Sequence, residues 1–106
     1  GVWAQWRLVE SGGGVQTPGN SVNLSCQGSG FNLSLFAIQW YRLAPGGSLE
    51  WLSYVSMPSG TKKQYGAAVQ GRATASRDNS RAKSSLSLCH LHVGDSARYF
   101  CAVRTG

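Results

Sequence analysis

Hydrophobic and polar residues alternate with a period of two along much of this chain, and no long stretch repeats at the helical period of about 3.6. Val22, Leu24 and Cys26 alternate with Asn23, Ser25 and Gln27, and Leu86 and Leu88 alternate with Ser85 and Ser87. Ala97, Tyr99 and Cys101 alternate with Arg98, Phe100 and Ala102. Each run has one face suited to a core and one suited to water, the pattern of antiparallel strands packed as a sandwich. Turn signals separate the runs: Ser11-Gly12-Gly13-Gly14, Thr17-Pro18-Gly19-Asn20, Ala44-Pro45-Gly46-Gly47, Pro58-Ser59-Gly60 and Arg77-Asp78-Asn79-Ser80. Strands are predicted near 6–10, 21–27, 37–43, 49–55, 62–65, 72–77, 83–88 and 97–103, with one helical turn near 93–96.

A chain of 106 residues is one domain, long enough for a two-layer core and small enough for a covalent staple to matter. Fourteen Gly against three Pro suit short strands and tight turns. No apolar run approaches the roughly 18 residues needed to span a bilayer, so this domain is expected to make no membrane contact itself. Ten Lys and Arg against four Asp and Glu give a net charge of +6. The positives are scattered, with Lys62-Lys63 the only adjacent pair, and no nucleic-acid module carries them. The charge therefore reads as an aid to solubility and a bias toward acidic ligands.

Cys26, Cys89 and Cys101 include no Cys-x-x-Cys pair, and an odd count suggests one bridge and one leftover thiol. The opening Gly1-Val2-Trp3-Ala4-Gln5 resembles the tail of a secretory signal, with Ala4 and Val2 one and three positions before a cut. The expected division is a signal remnant at 1–4 and one domain at 5–106, in an extracellular setting, secreted or anchored through other domains.

Cys26 and Cys101 lie 75 residues apart, both on the inward phase of their strands. Trp40 falls on a strand between them, and Tyr99 precedes Cys101 by two residues. This set resembles the immunoglobulin fold. The resemblance implies a Cys26–Cys101 bridge between two sheets, with Trp40 and Tyr99 in the core; the alternative, two buried free thiols, requires a reducing compartment.

Longer stretches resemble an immunoglobulin heavy-chain variable domain over about 5–103. They are Leu8-Val9-Glu10-Ser11-Gly12-Gly13-Gly14, Ser29-Gly30-Phe31, Trp40-Tyr41-Arg42-Leu43-Ala44-Pro45-Gly46 and Leu49-Glu50-Trp51. Gly71-Arg72-Ala73-Thr74, Ser76-Arg77-Asp78-Asn79-Ser80 and Asp95-Ser96-Ala97-Arg98-Tyr99-Phe100-Cys101 complete the set. Gln16-Thr17-Pro18-Gly19 and Tyr65-Gly66-Ala67-Ala68-Val69 look most like avian segments.

The resemblance implies an all-β, variable-type antiparallel β-sandwich lacking its last strand. The joining segment that supplies that strand, with its Trp-Gly-x-Gly signature, is not found after Val103-Arg104-Thr105-Gly106, which suggests an unrearranged, germline-type segment. It also implies antigen recognition beside a light-chain variable domain in adaptive immunity, with no enzymatic activity, cofactor or metal. A heavy-chain-like variable domain of a T-cell receptor and an innate immunoglobulin-superfamily receptor are the rival readings.

By the same resemblance, Tyr41, Leu43, Leu49, Trp51 and Phe100 form the partner-domain interface, although Tyr41 and Leu43 depart from the usual small aliphatic and glutamine. Arg72 and Asp95 resemble an ion pair tying the lower strand ends, expected at the surface and worth about 0–1 kcal/mol. Antigen contacts fall on three loops, 31–38, 56–63 and the segment after Ala102. The candidates are Asn32, Ser34, Leu35 and Phe36, then Ser56, Met57, Pro58, Ser59, Thr61, Lys62 and Lys63, and finally Arg104. Phe31 and Leu33 are expected to tuck inward and shape the first loop.

Two triplets, Asn23-Leu24-Ser25 and Asn32-Leu33-Ser34, have the spacing of N-glycosylation acceptors. Ser84 occupies a phase where an aliphatic side chain is usual, and is expected to weaken the core or find a backbone partner. Cys89-His90-Leu91-His92 matches no common zinc spacing, and His92 and Asp95 lack the nucleophile setting of a hydrolase.

Overall fold

The alternation at 22–26 becomes a strand with Leu24 and Cys26 turned into the core and Asn23 turned to solvent. The computed structural model describes residues 5–14 and 16–104. The expected signal remnant at 1–4 and the third loop beyond Arg104 lie outside the described residues.

Eight strands follow in order: β1 (Arg7–Ser11), β2 (Val22–Ser29), β3 (Ala37–Leu43), β4 (Leu49–Val55), β5 (Lys63–Tyr65), β6 (Ala73–Asp78), β7 (Lys83–Leu88) and β8 (Arg98–Arg104). All pair antiparallel, in two four-stranded sheets ordered β1-β2-β7-β6 and β5-β4-β3-β8. Single 3-10 turns cover Leu33–Leu35, Asn79–Arg81 and Val93–Asp95, the last within the stretch where a helical turn is predicted. Among the described residues β8 is an edge strand, and Gly14 bridges Ala97 just before it, with backbone hydrogen bonds of 2.9 and 3.2 Å.

The two sheets enclose one core. Leu24, Ala75, Leu86 and Leu88 come from the first sheet and Trp40, Leu52, Val55 and Tyr99 from the second. Removing each large apolar side chain from water stabilises by about 1.5–3 kcal/mol, which is why strand phase decides the fold. Cys26 and Cys101 form the disulfide between the layers, with their Cα atoms 6.3 Å apart. Trp40 is fully buried in the same cluster, and its Nε1 donates to Ser84 Oγ at 3.2 Å. Ser84 Oγ donates in turn to the Ser76 carbonyl at 3.3 Å. The serine in an aliphatic position thus satisfies the indole N–H, and finds the backbone partner that was one of its two expected fates.

Candidate recognition site

The first loop is shaped by one asparagine and one leucine. Asn32 Oδ1 accepts from the Ser34 backbone N–H at 3.1 Å and from Ser34 Oγ at 2.6 Å, starting the Leu33–Leu35 turn. Leu33 is buried beneath it, while Leu35 is 61% exposed. Phe31 is half-buried rather than tucked fully inward, and Trp6 stacks on it at 4.9 Å between centroids. Phe36 packs edge-on against both rings, at 5.3 Å from Trp6 and 5.8 Å from Phe31. Phe36 therefore belongs to an aromatic cluster rather than standing free, and Trp6 is a member that the sequence did not announce.

The second loop closes on Ser56. Its N–H donates to the Lys62 carbonyl at 2.9 Å, and its Oγ accepts from the Lys62 N–H at 3.0 Å. Ser56 is buried, so its hydroxyl is spent on loop closure and not presented as a contact. Met57, Pro58, Ser59, Thr61, Lys62 and Lys63 are exposed around it. Gly60 turns the loop at φ +79°, where a Cβ would lie 2.7 Å from Val55 Cγ1, so a side chain is excluded twice over. Lys63 opens β5 opposite Val55, and Arg104 still pairs with Ala37 inside β8, although it is exposed. Lys63 thus falls in the strand predicted at 62–65, whereas Arg104, expected in the third loop, extends the last strand one residue beyond its predicted end.

Arg77 joins the two loops. Its Nη2 donates to the Leu33 carbonyl at 2.8 Å, its Nη1 to the Ser56 carbonyl at 3.0 Å and its Nε to Asn79 Oδ1 at 2.8 Å. Asn79 Nδ2 donates to the Pro58 carbonyl. Burial pushes the Arg77 guanidinium pKa down, as desolvation does for any cation, and its hydrogen-bond acceptors are uncharged. The only sequence signal was an Arg followed two residues later by Asn at a turn.

A second surface lies on the outer face of the β5-β4-β3-β8 sheet. Tyr41 is paired with Trp51 on one side and Phe100 on the other, and Leu43 is paired with Leu49. These register rows bring all five predicted interface residues onto one face. Leu49 is 60% exposed, and Leu43 is exposed beside it. Arg98 lies over the Phe100 ring at 5.0 Å, covering part of that face with a cation–π contact.

At the other end of the sandwich, the Arg72–Asp95 pair is not a surface pair. Asp95 is buried and lies between two arginines. Arg72 Nη1 reaches Asp95 Oδ2 at 2.8 Å, and Arg42 Nη1 reaches Oδ1 at 2.8 Å. Arg42 Nε also pairs with Glu50 at 2.7 Å, Tyr99 Oη donates to the Asp95 carbonyl at 2.7 Å, and the His92 N–H donates to Asp95 Oδ2 at 2.7 Å. Burial alone would raise the Asp95 pKa. The hydrogen bonds from Arg72, the His92 N–H and Arg42 outweigh it and hold the carboxyl well below the usual carboxylate range. Burial acts the other way on the Arg42 guanidinium, and its bonds to Tyr99, Asp95 and Glu50 overcome it, raising that pKa. The corrected reading is a charge network with Asp95 and Arg42 buried, Arg72 part-buried and Glu50 at its exposed edge, tied into the core through Tyr99.

Two sheets, a disulfide between them packed beside a buried Trp, and a tyrosine anchored to a buried aspartate agree with one comparison. Residues 15–106 match the model for the Immunoglobulin V-set domain. Domains of that kind are typically non-catalytic and commonly pair with other immunoglobulin domains, and the disulfide is consistent with an extracellular location. The chain belongs to the immunoglobulin V-set family.

Proposed function

We propose that this domain recognises antigen as the variable domain of an immunoglobulin heavy chain, in partnership with a light-chain variable domain and outside the cell. The observation that carries the reading is the row Trp51–Tyr41–Phe100 with Leu43 and Leu49 beside it on one outer sheet face. An apolar, aromatic patch of this kind suits the dry centre of a paired interface. The heavy-chain and avian resemblances of the framework stretches support the choice of partner. Leu35, Met57, Pro58, Ser59, Thr61, Lys62, Lys63 and Arg104 sit exposed at the end where the loops are held together by Arg77, and would meet the antigen.

The test is to secrete the chain with a panel of light-chain variable domains and measure heterodimers by sedimentation. The expected result is a one-to-one complex that Leu49→Lys or Trp51→Lys abolishes while the domain's unfolding transition is retained. Complexes with T-cell receptor partner domains instead, or a monomer with every partner, would overturn the reading.

A further inference from the structure

Asn23-Leu24-Ser25 lies on β2, where alternate residues face opposite ways. Leu24 is buried in the core and Asn23 is exposed, so a group attached to Asn23 leaves the core untouched. Asn23 Oδ1 accepts from Ser87 Oγ at 2.7 Å. That leaves the amide nitrogen without a protein acceptor among the described residues. Asn23 pairs with Ser87 and Ser87 with Thr74, which makes a row of small polar side chains across the outer face of the β1-β2-β7-β6 sheet. Asn23, Ser21, Thr74, Ser87, Arg72 and the half-buried Cys89, together with the aliphatic Val22 and Leu88, line a depression of about 280 Å³ there. Hydroxyls and small side chains around an unencumbered amide suit the hydroxyl and N-acetyl groups of a sugar.

The second triplet is placed differently. Asn32 caps the first-loop turn at the recognition end, so a sugar there would stand among the loop residues. The Asn23 face belongs to the other layer from the apolar row at Tyr41, and a sugar on it obstructs neither surface.

We infer that Asn23 carries an N-linked oligosaccharide whose first sugar lies in this depression and covers the Cys89 thiol. In the transfer, Asn23 Nδ2 forms a bond to C1 of the terminal N-acetylhexosamine of a lipid-pyrophosphate-linked oligosaccharide. The bond from C1 to the pyrophosphate oxygen breaks, the pyrophosphate leaves with the electron pair, and the amide nitrogen loses one proton; nothing is oxidised or reduced. The transfer precedes folding, because in the finished sheet Ser25 Oγ is engaged with Ser11 Oγ at 2.7 Å and β2 is paired on both sides.

The full chain, secreted from cells with an N-glycosylation pathway, is digested and its glycans released by an amidase in heavy-oxygen water. Asn23 should be recovered as labelled Asp, and Ser25→Ala or Asn23→Gln should remove that mark. Maleimide labelling of Cys89 should be several-fold slower in the glycosylated chain than in either variant, with circular dichroism confirming that the variants fold. An unlabelled residue 23, or occupancy at Asn32 alone, overturns the assignment. Equal thiol rates in glycosylated and unglycosylated chains overturn the placement over Cys89.

Discussion

The Arg77 guanidinium donates to the Leu33 carbonyl at 2.8 Å, across 44 residues of chain, and so fixes the first loop to strand β6 of the β1-β2-β7-β6 sheet. Because the same group holds the Ser56 carbonyl, losing it frees two backbone acceptors at once. Arg77→Ala should destabilise the domain by about 2–3 kcal/mol, since each part-buried carbonyl left without a donor costs on the order of 1–3 kcal/mol. Arg77→Lys should recover only part of this, because a point charge does not reproduce the planar fork. Urea unfolding reads the stability, and faster proteolysis at 31–36 and 56–62 reads the loops. An Arg77→Ala chain as stable and as protease-resistant as the parent would show that the fork does not organise them.

Acid should unfold the domain through Asp95. A carboxylate held low in the folded state contributes stability above its unfolded pKa of about 4, and that contribution is lost as pH falls through the folded value. Stability should therefore decline from about pH 4–5 downward. Asp95→Asn should flatten this dependence and cost about 3–5 kcal/mol at neutral pH, because it leaves the buried Arg42 and the part-buried Arg72 without their shared counter-charge. Denaturant midpoints measured from pH 2 to pH 7 on both chains check this, and parallel curves would discount the network.

The strands were legible where one face is wet and one dry. Val22, Leu24 and Cys26 announce β2 because water and core take alternate positions. The strand's extension to Ser29 was not visible, because it rests on pairing with β1, down to Arg7 opposite Ser29, and not on a hydrophobic phase. The resemblance singled out Tyr41, Trp51 and Phe100, and the register sets Tyr41 between the other two on one sheet face. What alternation does not encode is convergence. Arg42 looks like any polar strand residue until β3 carries it beside Asp95, 53 positions away. Ser56 looks like an exposed loop hydroxyl until Lys62 folds back on it.

The disulfide should account for a large share of stability. Its 75-residue separation restricts the unfolded chain by about 4.5 kcal/mol when only loop entropy is counted, against a total of about 5–15 kcal/mol for a domain. Cys26→Ala/Cys101→Ala should accordingly be unfolded, or nearly so, at 37 °C, a temperature at which removal of a native disulfide often abolishes folding in small secreted domains. Circular dichroism across a thermal scan distinguishes this from a domain whose core suffices alone.

Ser53 offers a test in the opposite direction. It is fully buried, paired in register with Trp40, and its hydroxyl has no hydrogen-bond partner among the described residues. Burying an unpaired hydroxyl costs on the order of 1–3 kcal/mol, whereas alanine keeps the small volume and removes the polar atom. Ser53→Ala should therefore stabilise the domain by up to about 1 kcal/mol, which for a domain near 100 residues raises Tm by about 4–8 °C. Calorimetry on the oxidised chain reads the shift. A fall in Tm would mean that the Ser53 hydroxyl is satisfied in solution and that the strand β4 core is built around it.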